Sequence, residues 1–411
     1  MFNNSHFSMD SADVIGGFSP QALPQSSRTE AFYPARRPHI CFVAPMAWPV
    51  LSRDANLKII GGAEVQQCIL ARLLVKVGYR VSMVCLDFGQ PDKVVVDGIT
   101  VYRAFKPEAG LPLLRFVHPR LSSMWQAMRR ANADVYYQRS AAMFTALVAI
   151  FCRRYGRRSI YAGASDSDFV PGQQAIRWWR DRRLFELGLA AVDAVVVQNK
   201  AQRENCLLHY RRNSTLIPSC YELPANARSG GGSSVLWVGV LRPEKSPERF
   251  LEMARRLPNY RFVLVGGPND DPGSAACYDY LRRAAVDVKN LEITGFVPLA
   301  ETESFFDDAR VVVNTSDVEG MPNIFLQAWA RGIPTVAFTD VGARFEGQPV
   351  YPVVDSLDAG AREIERLLVD QKAWAKSGQR AHAYFVATHS DHVILERFRE
   401  VLADLGIWDE S

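Results

Sequence analysis

Apolar residues in this chain fall into short blocks, separated by segments whose apolar positions recur every third or fourth residue. The blocks read as buried strands and the spaced segments as helices. Ile40–Ala44 is the first strand, Ala63–Val77 a helix closed by Gly78, and Arg80–Leu86 the next strand. This β-α-β unit is the seed of a parallel sheet. The alternation continues through Asp134–Tyr137 (strand), Ala141–Arg154 (helix), Ser159–Tyr161 (strand), Ile176–Leu189 (helix) and Ala194–Val197 (strand). Residues 217–234 break it with Pro218, Pro224 and the run Gly230–Ser234, a composition suited to a linker. The pattern then restarts. Val235–Val238, Arg261–Val265, Leu291–Ile293, Val311–Val313 and Thr335–Ala337 read as strands, and Pro247–Leu257, Ala276–Ala285 and Ile324–Arg331 as helices. A last helix is predicted over about His392–Leu405.

The expected fold is therefore α/β, with two Rossmann-like domains of parallel sheet facing across a cleft. Residues 1–37, rich in Ser, Asn, Pro and Gln without a period, read as a mobile extension. The first domain spans 38–217, the linker 218–234, the second domain 235–388 and the C-terminal helix 389–411. In open α/β sheets ligands bind beyond the carboxyl ends of the strands, which places the site in the cleft.

Composition narrows the class. The chain has 411 residues, 48% hydrophobic and 22% charged, enough for two globular cores. It lacks the run of roughly eighteen apolar residues that a membrane span needs. Its start lacks the basic and apolar order of a secretory signal. A soluble, cytoplasmic protein is expected. Cysteines stand scattered at 41, 68, 85, 152, 206, 220 and 277, which suits buried thiols in a reducing compartment. No Cys-x-x-Cys occurs and no histidines pair at ligand spacing, so no metal site is expected. Charge is uneven: residues 1–217 hold 28 Lys+Arg against 16 Asp+Glu, the remainder 20 against 28. The basic half is the one expected to meet an anionic partner.

Four segments carry candidate chemistry. Gly61-Gly62-Ala63-Glu64 opens the first helix, where glycines let backbone N–H groups approach an anion; a plain turn is the alternative. Gly239–Ser246 follows a strand and places Arg242 and Lys245 where they can neutralise a diphosphate. Lys245 also precedes a helix, which disfavours a cation unless an anion sits there too. Gly266 and Gly267 end a buried strand, as glycines do where a ligand touches backbone, or where a turn needs them. The sharpest segment is Glu319-Gly320-Met321-Pro322-Asn323, which leads into a helix carrying Gln327. Its loop N–H groups suit phosphate, Glu319 suits sugar hydroxyls and Gln327 suits a ribose; helix capping by Glu319 is the alternative.

The order of these segments resembles the retaining glycosyltransferases of family 4, which have the GT-B fold, over about residues 38–400. Glu319–Ala330 resembles that family's E-x7-E motif, with Gln327 at the second acidic position. Gly239–Lys245 resembles its G-R-L-x-x-x-K-G, with Val240 at the arginine and Arg242 as a substitute; Gly61–Glu64 resembles its G-G-x-E. Ser165-Asp166 stands where many relatives carry a His-Asp pair. The resemblance implies transfer of a sugar from a nucleoside-diphosphate sugar to an acceptor hydroxyl. It implies retention, a co-substrate rather than a cofactor, and no metal. Lys245, Arg242 and the loop 320–323 would stabilise the leaving diphosphate, Glu319 would orient the sugar, and Asp166 or Asp168 would position the acceptor or else cap the loop.

The basic half then acquires a partner. Arg153, Arg154, Arg157 and Arg158, with Arg177, Arg180, Arg182 and Arg183 around Trp178 and Trp179, suit an anionic membrane surface. The acceptor expected is a saccharide or lipid-linked saccharide, in polysaccharide or glycolipid assembly, with the enzyme peripheral at the inner face of the plasma membrane. Nucleic acid is not expected, because no recognition module appears. The altered positions 240, 165 and 327 also admit a non-catalytic sugar-nucleotide-binding subunit. A sugar-nucleotide epimerase or a phosphorylase shares the fold. A nicotinamide oxidoreductase is disfavoured, because no G-x-G-x-x-G follows the first strand.

Overall fold

The computed structural model describes residues 37–54, 57, 61–110, 116–224, 226–227, 231–268, 272–298 and 301–407. The predicted N-terminal extension, Arg37 excepted, and Ala225, Arg228, Ser229 and Gly230 of the predicted linker lie outside these residues.

The first domain is built on one sheet. Its strands are β1 (His39–Val43), β2 (Arg80–Cys85), β3 (Lys93–Val96), β4 (Ile99–Arg103), β5 (Val135–Arg139), β6 (Arg158–Ala162), β7 (Ala194–Val197) and β8 (Thr215–Leu216). They run in the order β3-β4-β2-β1-β5-β6-β7-β8. All pairs are parallel except β3 with β4. That hairpin turns at Asp97-Gly98, both at positive φ, the Asp-Gly signature of a two-residue turn. Around the sheet lie α1 (Trp48–Ser52), α2 (Gly62–Lys76), α3 (Ser122–Ala131), α4 (Phe144–Tyr155), α5 (Trp179–Ala191) and α6 (Lys200–Tyr210). Central strands are buried along their length, β1 completely, because helices cover both faces.

The second domain has a parallel sheet in the order β11-β10-β9-β12-β13. The strands are β9 (Ser234–Val238), β10 (Phe262–Val265), β11 (Leu291–Gly295), β12 (Ala309–Asn314) and β13 (Thr335–Ala337). Its helices are α7 (Pro247–Arg256), α8 (Pro272–Ala284), α9 (Glu303–Asp307), α10 (Asn323–Ala330), α11 (Leu357–Val369) and α12 (Gln371–His389). A small hairpin of β14 (Arg344–Phe345) and β15 (Gln348–Pro349) flanks them. The sheet reverses direction of growth beside β9, the switch point at which α/β sheets bind ligands. The last helix, α13 (Asp391–Asp404), leaves this domain and buries Ile394, Leu395, Phe398, Val401 and Leu402 in the core of the first.

Candidate functional site

The carboxyl ends of β1, β5, β6 and β7 face those of β9 and β12 across a cleft of roughly 660 Å³. On the first-domain wall lie Gly61, Gly62, Glu64, Arg139, Ser165 and Gln198. On the second-domain wall lie Arg242, Lys245, Glu319 and the loop Gly320-Met321-Pro322-Asn323.

Three helix starts meet there. Gly61 caps α2 with no side-chain bond, so the first-turn N–H groups are left for a ligand. Asn323 begins α10 behind Pro322, again with no side-chain cap. Ser246, at φ 44, links Lys245 to the start of α7. A Cβ on Gly320 would meet nothing within 4 Å, so this loop presents open backbone to the cleft.

Lys245 and Glu319 form an ion pair, Nζ to Oε1, of 2.5 Å. The same Oε1 accepts from Ser316 Oγ at 2.7 Å and Asn314 Nδ2 at 3.3 Å. All three bonds fall on one oxygen; Oε2 accepts none from the described residues. The Lys245 backbone is fixed in turn: its carbonyl accepts from Thr315 Oγ1 at 2.7 Å, and that hydroxyl accepts from Trp237 Nε1 at 2.9 Å. The cation is therefore tied to β9 through Thr315 and Trp237, and the carboxylate to the end of β12 through Asn314. Arg242 lines the same wall, and its Nε is buried without a hydrogen-bond partner among the described residues.

A second lobe of roughly 570 Å³ continues from this cleft, sharing Gly62, Gln66, Gly239 and Asn323 with it. Tyr221, Phe296, Pro298, Glu303 and Gln327 line it. Gln327 donates from Nε2 to Glu303 Oε1 at 3.0 Å, and Arg331 donates from Nη2 to Glu303 Oε2 at 2.8 Å.

The structure thus brings Gly61, Gly62, Arg242, Lys245, Glu319, Gly320, Met321, Pro322 and Asn323 to one cleft and Gln327 to its extension. Asp166 is not on its wall. Its Oδ1 accepts from Asn199 Nδ2 at 2.9 Å and Gln202 Nε2 at 3.0 Å, tying the turn after β6 to α6. Asp168 is buried and caps the same turn through the N–H groups of Ala164 and Ser165; burial pushes its carboxyl up. Gly266 and Gly267 are packing residues. A Cβ on Gly266 would fall 2.1 Å from the Gly239 carbonyl oxygen, and one on Gly267 2.4 Å from the Phe296 nitrogen. Their smallness lets the strand-end loops that line the cleft close on one another.

Arg139, Gln66, Glu303 and Arg331 escape the sequence reading. Arg139 had a signal, a charged residue two positions beyond the predicted apolar strand and the last of β5. The others sit in or at the end of helices whose pattern does not reveal which polar face meets a cleft.

Two parallel α/β sheets that face each other by their strand ends, with a C-terminal helix returning to the first, are the GT-B architecture of glycosyltransferases. Sucrose-phosphate synthase of Thermosynechococcus elongatus superposes with a TM-score of 0.68 at 18% identity, over 90% of this chain and 99% of that one. Anabaena HepE, solved with UDP and glucose, gives 0.68 at 16% identity, over 89% and 100%. The model described as Glycosyltransferase Family 4 matches residues 60–223, and that described as Glycosyl transferases group 1 matches 232–370. One match falls in each domain, and together they support a glycosyltransferase of the family 4 type. Among curated proteins it is similar to the lipopolysaccharide core biosynthesis glycosyltransferase LpsE of Rhizobium meliloti, 25% identical over 177 residues, 41% of this chain and 49% of that protein. It is also 27% identical to D-inositol 3-phosphate glycosyltransferase of Mycolicibacterium smegmatis over 183 residues, 41% of each. The matches span about half or less of these relatives' length.

Proposed function

We propose that this chain transfers a sugar from a nucleoside-diphosphate sugar to an acceptor hydroxyl, with retention at the anomeric carbon. The observation that carries the reading is the Lys245–Glu319 pair at the mouth of the cleft, opposite the uncapped start of α2. As the anomeric bond to the diphosphate breaks, charge builds on the leaving oxygens. Lys245, Arg242 and the N–H groups at the starts of α2 and α10 stabilise that charge in place. The free Oε2 of Glu319 accepts from a sugar hydroxyl. The acceptor oxygen bonds the anomeric carbon on the face the diphosphate leaves, and its proton passes to the departing phosphate. The protein cations supply the electrostatic stabilisation without a metal. Arg139 and Ser165 line the acceptor side, where Asp166 was expected.

Thermal shifts with nucleoside diphosphates and nucleotide sugars, in wild type and Lys245→Ala, test this. A ligand that binds only the folded state stabilises it by about 2.7 kcal/mol at a hundredfold excess over Kd. A shift with one base that Lys245→Ala abolishes supports the reading. No shift with any nucleotide at millimolar concentration sinks it.

The acceptor proposed is a saccharide or lipid-linked saccharide, in polysaccharide or glycolipid assembly, met by a cytoplasmic enzyme peripheral to an anionic membrane. Among the described residues no helix is long and apolar enough to cross one. Of the eight predicted arginines, Arg157, Arg158, Arg180 and Arg183 pair with Asp134, Asp193, Asp181 and Glu186. Arg182 donates to the Ile176 carbonyl. Arg153, Arg154 and Arg177 make no ion pair among the described residues, and Ile150, Trp178, Trp179 and Leu187 on or beside the same two helices are exposed. Apolar anchors among unpaired cations suit anionic lipid. Sedimentation with phosphatidylserine vesicles should fall with salt and with Trp179→Ala; binding only to neutral vesicles, or none, refutes this part.

A further inference from the structure

Position 327, on buried α10, is an amide, and its Nε2 is committed to Glu303 Oε1 at 3.0 Å. Glu303, at the start of α9, faces the extended lobe with its side chain 22% exposed. Its Oε2 accepts from Tyr221 OH at 2.6 Å and Arg331 Nη2 at 2.8 Å. Burial and the Glu303 charge push the Tyr221 phenol up, so at neutral pH it is a donor. Arg331 has a fully buried side chain and also reaches Asp307 at 3.1 Å. One cation against two carboxylates leaves a net negative charge beside the lobe. A second carboxylate at 327 would stand within hydrogen-bond distance of the first, which like charges disfavour. The amide removes that repulsion and holds Glu303 in place.

We propose that Glu303, rather than Gln327, recognises the ribose of the nucleotide, accepting from its vicinal hydroxyl pair, with Gln327 and Arg331 as positioning residues. Oε1 has spent one of its two lone pairs on Gln327 and keeps the other for a hydroxyl. A charged acceptor makes the stronger bond, so the carboxylate outcompetes the neighbouring amide oxygen. Phe296 and Pro298 give the same lobe an apolar wall for the base. The assignment rests on the nucleotide-sugar reading above.

Calorimetric titration of the full chain with ADP, GDP, CDP and UDP, and with their 2′-deoxy forms, tests it. The ribonucleotide that binds should outbind its deoxy form by about tenfold, the worth of one hydrogen bond to a charged group. In E303Q the ribonucleotide should weaken and the two forms should converge, a loss of discrimination that general loosening would not produce. If E303Q does not fold, the wild-type ratio decides. Binding that ignores the 2′-hydroxyl, or a ratio unchanged in E303Q, overturns the assignment alone. Binding of no nucleoside diphosphate overturns the donor reading and the assignment with it.

Discussion

Gln66 and Asn323 share a hydrogen bond of 2.8 Å across the cleft, though 257 residues separate them in the chain. Gln66 belongs to α2 of the first domain, and Asn323 opens α10 of the second. The same buried amide accepts from the Cys220 N–H at 2.8 Å and donates to the Cys220 carbonyl at 2.9 Å. One side chain therefore ties both domains and the connection between them, beside the groups expected to hold the diphosphate.

Gln66→Ala should cost more than a surface amide would. It strands a backbone N–H and a carbonyl at Cys220 in a buried place, at about 1–3 kcal/mol for each group that water does not reach. Asn323→Ala removes only the bond across the cleft and should cost about 1 kcal/mol or less. Urea unfolding separates the two. Equal losses would mean that the Cys220 bonds contribute nothing.

Lys245→Ala and Glu319→Gln should impair transfer in different ways. The first removes the cation that meets the leaving diphosphate. A loss of about 10²–10³ in kcat is expected, as for other groups aimed at developing charge. The second leaves the shape of the Lys245, Ser316 and Asn314 cluster but weakens the oxygen offered to the sugar. Nucleotide-sugar binding should then fall while free nucleoside diphosphate binds nearly as before. Titrations of each variant with both ligands check the split.

The two-domain plan and most of the cleft were legible in the sequence, for a physical reason. Strands buried on both faces read as continuous apolar blocks, and the glycines and charges that follow them sit at strand ends, where α/β folds bind ligands. Lys245, Glu319 and Gly61-Gly62 follow such strands and line the cleft. Asp166 fits the same rule, yet its carboxylate turns to α6, because local hydrogen bonds to Asn199 and Gln202 outweigh position. Gly266 and Gly267 follow it too, but answer to neighbouring backbone. The β3-β4 hairpin carried a readable Asp-Gly turn. The Glu303–Arg331 pair did not: it joins residues 28 apart whose partnership depends on how α9 packs against α10.

Gly188→Ala should displace α5 from α4. A Cβ at position 188 would lie 2.3 Å from the Ala146 nitrogen, a backbone atom that cannot swing aside. Overpacking of this kind costs about 1–3 kcal/mol. Because these two helices carry Trp179, Ile150 and Leu187, the variant should also weaken binding to phosphatidylserine vesicles. A melting temperature equal to wild type would show that the helices do not approach this closely.

His389 should make stability depend on acid. The ring closes α12 against the interdomain connection, donating from Nδ1 to the Ser219 carbonyl at 2.7 Å. Trp329, Tyr384 and Phe385 surround it. Burial pushes its pKa down to about 4 from the usual 6.5. Between those values the unfolded chain binds a proton that the folded chain refuses. The stabilisation is thus complete above about pH 6.5 and is lost as pH falls towards 4, an effect on the order of 3 kcal/mol for this group. Urea midpoints from pH 7 to pH 4.5 should decline in wild type. His389→Phe keeps an aromatic ring but cannot take up the proton. It should start less stable, having lost the bond to Ser219, and decline less steeply. Parallel declines in the two proteins would assign the acid sensitivity to other groups and leave His389 a packing residue.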